Sequence, residues 1–252
     1  MKILLFFASL LSISSFFGQT SEKMEIPLLN SKDSIVYHTG YSVSYNQKFR
    51  QANWVGYCLT RNETNSIYKR ENKFVTDPII KGTDNGIDYE KSGYDRGHLC
   101  PAAHMGFSKI TMAESFYYSN MSPQIPGFNR GIWKQLEEQT RNWAIEYDSL
   151  YIVVGPIFSD SMKTIGPHQV AVPNYYYKVI LDNHKGKEKM IGFLMQNESS
   201  KNSLQSFVVT VDSVEVLTGI DFFPILEDSF ESKLESLVVF NTWNWKNVKK
   251  KK

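Results

Sequence analysis

The alternation of apolar and polar positions divides the chain into short strand-like runs and a few helix-like segments. Residues 54–59 form an aromatic and β-branched run of the kind that favours a strand. Apolar runs at 149–158, 175–181 and 190–196 predict three more strands. The Asn-His-Lys-Gly segment at 183–186 predicts a hairpin between the last two.

Helical periodicity is found in three segments. Residues 111–118 suit a short helix and residues 129–147 a longer one. The apolar side chains expected on the buried face of the longer helix are Ile132, Leu136 and Trp143. Residues 207–217 predict a third helix, which Gly219 is placed to end. Because no linker or internal repeat divides these segments, the pattern indicates one α+β domain.

Polar stretches frame and interrupt this pattern. Residues 19–49 are interpreted as an N-terminal lead-in, loosely held up to about residue 40, and residues 50–245 as the folded domain. Inside the domain, residues 60–94 form a long polar loop with several turn signals, and long ordered loops often serve function. Residues 246–252 form a basic tail, for which a solvated end is the favoured interpretation over an attraction to polyanions.

The first 18 residues have the pattern of a secretory signal peptide. Lys2 supplies the positive end, residues 3–17 are mainly apolar, and Gly18 offers a small residue for cleavage. An uncleaved anchor is the less favoured alternative, because the apolar stretch is short for a membrane span. We therefore expect a secreted or periplasmic protein that has no membrane association.

The overall charge does not indicate a nucleic-acid partner. The chain has 28 Lys and Arg residues against 26 Asp and Glu residues, a formal net charge of +2. Any attraction to phosphate must therefore come from local clustering of positive side chains.

The segment Asp95-Arg96-Gly97-His98 is a first chemical signal. Gly97 permits a tight backbone turn, which would expose the adjacent imidazole. Histidine is the side chain best suited to accept a proton near neutral pH. A single histidine is more often structural, so this segment does not assign a site by itself.

A spacing of four residues along the predicted long helix is a second signal. Asn129, Trp133, Glu137 and Arg141 would lie along one stripe of that helix. Amide and carboxylate oxygens suit Mg²⁺, and a guanidinium suits phosphate. The alternative is a solvated helix face with a Glu137–Arg141 ion pair, which would be favoured if the histidine segment were absent.

Together these segments resemble the DNA/RNA non-specific endonucleases of the ββα-metal (His-Me finger) class, which includes mitochondrial endonuclease G. Residues 95–98 match the signature tetrad of that family, residues 116–124 its next block, and residues 129–141 its metal-binding helix. Weaker matches extend the resemblance to roughly residues 50–235. The resemblance implies an α+β ββα-metal fold with a central, mainly antiparallel sheet flanked by helices.

The resemblance also implies a role for each matched residue. His98 would be the proton acceptor of the reaction. Asn129 would be the only direct protein ligand of Mg²⁺, and Glu137 would hold a metal-bound water. Arg141 would contact the scissile phosphate.

Three further residues complete the predicted set. Arg70 is the expected second phosphate-binding and catalytic arginine, with Arg61 as the fallback, because loop alignments slip. Arg96 is counted with the catalytic residues and is expected, with Asp95, to shape the turn before the histidine. Asn120 is counted with the substrate-binding residues.

Cys100 and His104 depart from the family's pattern, where its bacterial members more commonly have Ala and Asp. With His98 and Cys58 they could form a zinc site, which is a minor alternative. A Cys58–Cys100 disulfide, which export permits, and two small buried thiols are equally consistent with the sequence.

The predicted function is Mg²⁺-dependent hydrolysis of DNA and RNA to 5′-phosphate products, without sequence preference. Mn²⁺ or another divalent cation is expected to substitute. Binding would use the phosphate backbone, because no base-reading motif is found. A homodimer and an inhibitor protein are left open. The alternatives are an inactive nucleic-acid-binding module on the same fold and a metal-dependent small-molecule phosphodiesterase.

Overall fold

The computed structural model describes residues 23–28, 34–83 and 85–245. The predicted signal peptide, residues 1–18, and the basic tail, residues 246–252, lie outside these ranges. In the part of the chain that is described, no helix has the length and apolar character needed to cross a membrane.

The described residues form strands, α-helices and short helical turns. The strands are β1 (Ile35–Tyr37), β2 (Ser42–Asn46), β3 (Gln51–Thr60), β4 (Asp95–His98), β5 (Met121–Gln124), β6 (Ser149–Ile157), β7 (Lys163–Ile165), β8 (Val170–Val172), β9 (Tyr175–Asp182), β10 (Lys189–Gln196) and β11 (Val208–Val209). The α-helices are α1 (Lys109–Glu114), α2 (Lys134–Tyr147), α3 (Val211–Thr218) and α4 (Asp228–Glu235), and a π-helical turn, Phe128–Trp133, precedes α2.

A seven-stranded antiparallel sheet forms the centre of the fold, in the order β1-β2-β3-β6-β9-β10-β11. The four strands predicted from apolar runs are β3, β6, β9 and β10. The predicted hairpin is confirmed, because β9 pairs with β10 from Asp182↔Lys189 onward. These strands lack a clear polar alternation because both faces of the sheet are covered.

Alternate residues of the sheet belong to two different apolar cores. Ile152 and Ile180 lie in the core that packs under α2, whereas Val153 and Val179 lie in the core that packs under α3. Successive side chains of a strand point to opposite faces, so helices cover both sides of the sheet. The α+β architecture with a flanked antiparallel sheet is therefore confirmed.

Two strands of the sheet lie inside the predicted N-terminal lead-in. β1 and β2 pair in register from Ile35↔Ser44, and Val43 is fully buried. The expectation of a segment that is loosely held up to about residue 40 is therefore wrong from residue 35 onward. These strands are too short for a period of two to stand out, and their pairing depends on β3 rather than on local sequence.

The predicted helices differ from the observed ones at their ends. α1 stops at Glu114, and residues 118–120 form a separate 3₁₀ turn. α3 begins only at Val211, because Thr210 caps it by accepting a hydrogen bond from the Ser213 amide at 3.2 Å. Gly219 ends α3 in the left-handed conformation (φ +68°), as predicted.

The segment predicted as one helix over residues 129–147 is broken near its start. Gly131 has non-helical backbone angles (φ −105°, ψ −111°), and the chain before Lys134 is a π-helical turn. Ile132, Leu136 and Trp143 are buried, as their spacing predicted. Asn129 lies in the turn before this break.

A small two-stranded sheet stands beside α2 and supports the site. β4 and β5 pair antiparallel from Asp95↔Gln124 to His98↔Met121. The order of these two strands, the π-helical turn and α2 is a ββα unit, which the sequence resemblance implied. It places β4, the π-helical turn and α2 around one cleft.

Candidate active site

One cleft of about 710 Å³ contains six of the seven predicted site residues. Its walls come from the 70–74 loop, β4, the 101–103 segment, the π-helical turn and the first half of α2. The predicted residues that line it are Arg70, Arg96, His98, Asn129, Glu137 and Arg141. Asn120 does not line this cleft.

His98 lies at the wall of the cleft with only 6% of its surface exposed. Its ring packs edge-on against Phe116 (centroids 5.0 Å apart) and against Phe74 (5.9 Å). Nε2 has no hydrogen-bond partner within the described structure. Burial, with the charge of Arg70 as a second cause, lowers the pKa of His98 to about 3, so the imidazole is neutral at physiological pH.

Gly97 serves a different purpose from the tight turn that its sequence context predicted. It lies within β4, opposite Ser122, and not in a turn. A Cβ at this position would overlap the side chain of Gln124. The glycine therefore allows β5 to pack closely against β4, and His98 is held in a strand instead of being exposed at a turn.

Asn129 is oriented by the carboxylate of Asp95. Asn129 Nδ2 donates to Asp95 Oδ2 at 2.8 Å, and Arg130 binds both oxygens of the same carboxylate. An ionised carboxylate only accepts hydrogen bonds, so the amide must turn its nitrogen toward Asp95 and its oxygen away. Asn129 Oδ1 makes no hydrogen bond within the described residues, and an unpaired amide oxygen in a polar cleft fits a hard divalent cation.

Glu137, which lines the cleft, and Lys178, which is buried, affect each other's pKa. Withdrawal from water raises the pKa of Glu137 to about 7, although the charges of Lys178 and Arg141 oppose the shift. Lys178 is fully buried, its ammonium has no hydrogen-bond partner among the described residues, and it lies 4.9 Å from the Trp133 ring. Burial lowers the pKa of Lys178 to about 8, while Glu137 opposes that shift.

Sequence reasoning did not identify Lys178 as part of this environment. The sequence did contain a signal, which is a lysine within the continuous apolar run of β9. A charged residue in such a run is rarely buried without a partner, so a nearby opposite charge could have been expected. Its proximity to Glu137 depends on how α2 packs on the sheet, which no local pattern predicts.

The remaining positive charge of the cleft comes mainly from arginines. Arg141 makes no ion pair within the described residues, so the Glu137–Arg141 pair of the alternative interpretation is not formed. Arg70 stacks on the Phe116 ring at 5.2 Å and donates to Asn72. The fallback, Arg61, binds the Ile145 carbonyl and Asp148 and does not line the cleft.

Arg96 lines the cleft but is held by its surroundings. Its guanidinium donates to the Tyr118 hydroxyl at 3.1 Å and to the Gly86 carbonyl at 3.4 Å. It also lies 5.2 Å from the Phe74 ring and 5.7 Å from the Tyr89 ring. These contacts give Arg96 a role in holding the cleft wall and leave it less free for substrate than Arg141.

Asn120 has a structural position and no access to the cleft. It is fully buried, and its Oδ1 accepts from the Cys100 amide at 2.8 Å. Its Nδ2 donates to the Cys100 and Ser115 carbonyls, each at 2.9 Å. The interpretation of Asn120 as a substrate-binding residue is therefore not supported, because its side chain binds the backbone after β4, at Cys100, and after α1, at Ser115.

The Cys-His cluster forms neither a disulfide nor a metal site in this structure. Cys58 and Cys100 are both free thiols. His104 is buried, with Nδ1 paired to the Tyr57 hydroxyl at 3.2 Å and Nε2 to the Glu137 carbonyl oxygen at 3.1 Å. Among the described residues, the groups spaced to bind a metal contain only acidic side chains.

Comparison with known proteins identifies the family to which the chain belongs. The sequence profile of the DNA/RNA non-specific endonuclease family matches residues 20–229. The chain belongs to that family. It is therefore a nuclease, and the family is a metal-dependent class.

Several relatives of this endonuclease share most of its length. Nuclease C1 of Cunninghamella echinulata var. echinulata is 34% identical over 207 residues, which cover 75% of this chain and 82% of that protein. Human mitochondrial endonuclease G is 31% identical over 200 residues, which cover 73% of this chain and 67% of that protein. Human mitochondrial nuclease EXOG is 32% identical over 209 residues, and the match covers 75% of this chain but only 57% of EXOG.

A solved structure shows the same fold. A chain in the crystal structure of the EndoG/EndoGI complex superimposes with a TM-score of 0.75 and 32% identity. The match covers 81% of this endonuclease and 90% of that chain.

The buried position of His98 predicts that its imidazole stays neutral in mildly acidic solution. A pKa of about 3 means that almost no proton binds at any pH above 5, whereas an ordinary histidine gains its proton near 6.5. The chemical shift of the His98 Hε1 proton, followed by NMR in metal-free protein between pH 8 and pH 5, should therefore hardly change. A titration midpoint near 6.5 would contradict this.

The contacts of Asn120 predict a stability defect and no direct effect on substrate binding. Asn120→Ala should lower the free energy of unfolding by about 3 kcal/mol, because it leaves buried backbone groups without partners. Urea unfolding measures this, and Asn120→Asp should also be destabilised, because its second carboxylate oxygen would face the Cys100 and Ser115 carbonyls. An unchanged stability combined with weakened DNA binding would restore the substrate-binding interpretation.

Proposed function

We propose that this nuclease is an exported, Mg²⁺-dependent enzyme that hydrolyses internal phosphodiester bonds of DNA and RNA without sequence preference. The main support is the meeting in one cleft of a neutral imidazole, His98, and an amide oxygen, that of Asn129, which Asp95 turns away from itself. The leader-like pattern of residues 1–18 supports export. The family resemblance supports 5′-phosphate products.

His98 has the properties of a general base. Its Nε2 is enclosed, whereas Nδ1 is not enclosed and makes no hydrogen bond within the described residues, so Nδ1 would accept a proton from a water that attacks phosphorus in line. Phe74 and Phe116 hold the ring in place, so it does not need to reorient. Because burial keeps the imidazole neutral, the accepting form predominates before the substrate arrives.

Asn129 and Glu137 provide the oxygens that would face the metal. Asn129 would be the direct ligand, and Glu137 would accept hydrogen bonds from water in the same wall of the cleft. Mg²⁺ held there would neutralise the negative charge that develops on the phosphate and on the leaving oxygen. Mn²⁺ has similar ligand preferences and is expected to substitute.

Arg70 and Arg141 are placed to bind the phosphate. Both line the cleft, and Arg141 has no competing ion pair within the described residues. Guanidinium groups bind phosphate oxygens through paired hydrogen bonds, which contain no sequence information. This arrangement supports cleavage of DNA and RNA alike. Because the net charge of the chain is only +2, attraction to phosphate requires such a local cluster of positive side chains.

The proposed function predicts cleavage that depends on a metal ion and that the His98→Ala substitution strongly slows. Plasmid DNA and RNA should both be cut with Mg²⁺ and not with EDTA. His98→Ala should reduce the single-turnover rate by roughly 10² to 10⁴-fold, because it loses the proton acceptor, while DNA binding persists. His184→Ala, which changes an exposed histidine outside the cleft, is the matched control and should keep the wild-type rate.

Three results would contradict this interpretation. DNA binding without any cleavage would indicate an inactive binding module. Hydrolysis of a chromogenic phosphodiester without cleavage of plasmid would indicate a small-molecule phosphodiesterase. A folded His98→Ala variant, checked by circular dichroism, that cuts within tenfold of wild type would assign the proton to another group.

The Asp95–Asn129 contact predicts two different kinds of metal defect. Asp95→Ala frees the amide to rotate, so the half-saturating Mg²⁺ concentration should rise roughly 10 to 100-fold while excess Mg²⁺ largely restores the rate. Asn129→Ala removes the ligand itself, so excess Mg²⁺ should restore little. Cleavage rates measured across a Mg²⁺ titration distinguish the two.

Arg130→Ala is the matched control for Asp95. It removes the exposed partner of that carboxylate but leaves the Asp95–Asn129 hydrogen bond, so its Mg²⁺ requirement should stay close to wild type. If Asp95→Ala needed no more Mg²⁺ than Arg130→Ala, the carboxylate would not orient the metal ligand.

A further inference from the structure

Six acidic side chains gather between α3 and α4, on the face of the sheet opposite to α2. Two belong to α3, one to the segment that follows it, and three to α4. They are Asp212, Glu215, Asp221, Asp228, Glu231 and Glu235. None of the six makes an ion pair with a lysine or arginine in the described part of the chain. Within the described residues, no basic side chain therefore neutralises the negative charge of this acidic cluster.

Two glutamates of this acidic cluster are turned toward the protein interior. Glu231 and Glu235 are one helical turn apart on α4, and only 9% and 6% of their surfaces are exposed. One oxygen of each, Oε1, has no hydrogen-bond partner among the described residues. A buried carboxylate oxygen without a partner is costly, so these atoms indicate a ligand that is not part of the polypeptide.

Asp221 completes a set of oxygens with the spacing of a metal site. One carboxylate oxygen from each of Asp221, Glu231 and Glu235 lies within 4.8 Å of the others. Oxygens that bind one Ca²⁺ at about 2.4 Å can be at most about 4.8 Å apart, so a single ion can reach all three. Asp221 is the more exposed of the three and leaves room for water ligands.

We propose that Asp221, Glu231 and Glu235 bind a Ca²⁺ ion, which stabilises the packing of α4 and the Asp221 segment against the sheet. Three carboxylates with no competing cation suit Ca²⁺, which accepts six to eight oxygens in irregular geometry. Mg²⁺ binds more weakly here, because it requires shorter distances and a regular octahedron. This site is separate from the cleft and takes no part in the proposed cleavage.

Neighbouring acids deepen the negative field around this site. Glu215 lies at hydrogen-bond distance from Glu235, and its Oε1 accepts from the Phe222 amide at 2.9 Å. Burial and the surrounding carboxylates raise the pKa of Glu235 to about 9 and that of Glu231 to about 7. Carboxylates bind metal ions in their ionised form, so Ca²⁺ binding is tested at alkaline pH.

The ion would connect elements that apolar contacts already bring together. Phe222 and Phe223, which directly follow Asp221, lie in the core under α3, and Leu234 of α4 packs against the same core. A ligand that binds only the folded state raises the unfolding temperature. The expected effect of Ca²⁺ is therefore on stability.

Thermal unfolding of the Asn129→Ala protein tests the proposal, since that background disables the metal site of the cleft. At pH 8.5, Ca²⁺ at a hundred times its Kd should raise Tm by roughly 5–10 °C. Isothermal titration calorimetry with CaCl₂ should show one ion bound per chain, and MgCl₂ should raise Tm by a smaller amount.

Substitutions at the three proposed ligands test where the ion binds. Glu231→Gln/Glu235→Gln should lose the Ca²⁺-dependent rise in Tm, as should the single change Asp221→Asn, which remains informative if the double variant does not fold. Glu90→Gln, an exposed acid outside the cluster, should keep the full rise. A Tm that does not respond to Ca²⁺ at pH 8.5 would overturn the proposal, and so would a response that persists in the Asp221 and Glu231/Glu235 variants.

Discussion

The hydrogen bond from Asn129 to Asp95 is the contact on which the geometry of the cleft depends. It joins the π-helical turn to β4, the strand that also presents His98. An asparagine amide has two nearly equivalent orientations, and a neighbour that can only accept a hydrogen bond, or only donate one, selects between them. Asp95 is such a neighbour, so one carboxylate determines which atom of Asn129 faces the cleft.

Packing on the large sheet keeps this contact in place. Trp133 is fully buried against Tyr176 of β9, so the end of the π-helical turn is anchored in the core while Asn129 remains at the cleft. Gly131 makes the change of direction possible, because its backbone leaves the helical conformation between the two residues. Asn129 and Glu137 can thus share a cleft although Trp133, which is four residues from each of them, points into the core.

The burial that organises the site also sets its chemistry. His98 is kept neutral because its ring lies between two phenylalanines beside an arginine, and Glu137 has a raised pKa because it lies at the edge of the core. Among the positive charges, Lys178 opposes the rise in the pKa of Glu137 most, yet it has no hydrogen bond within the described residues. These groups have ionisation states that a solvated loop or helix face could not produce.

The sequence by itself determined the strands of the sheet centre, the family and six residues of the cleft, because apolar runs and motifs such as those of His98, Asn129, Glu137 and Arg141 are local properties. It did not determine the position of Gly97, the roles of Asp95 and Asn120, or the burial of Lys178. Each of these depends on which segments meet across the fold. Hydrogen-bond partners and desolvation are set by such long-range contacts, so only the tertiary structure decided them.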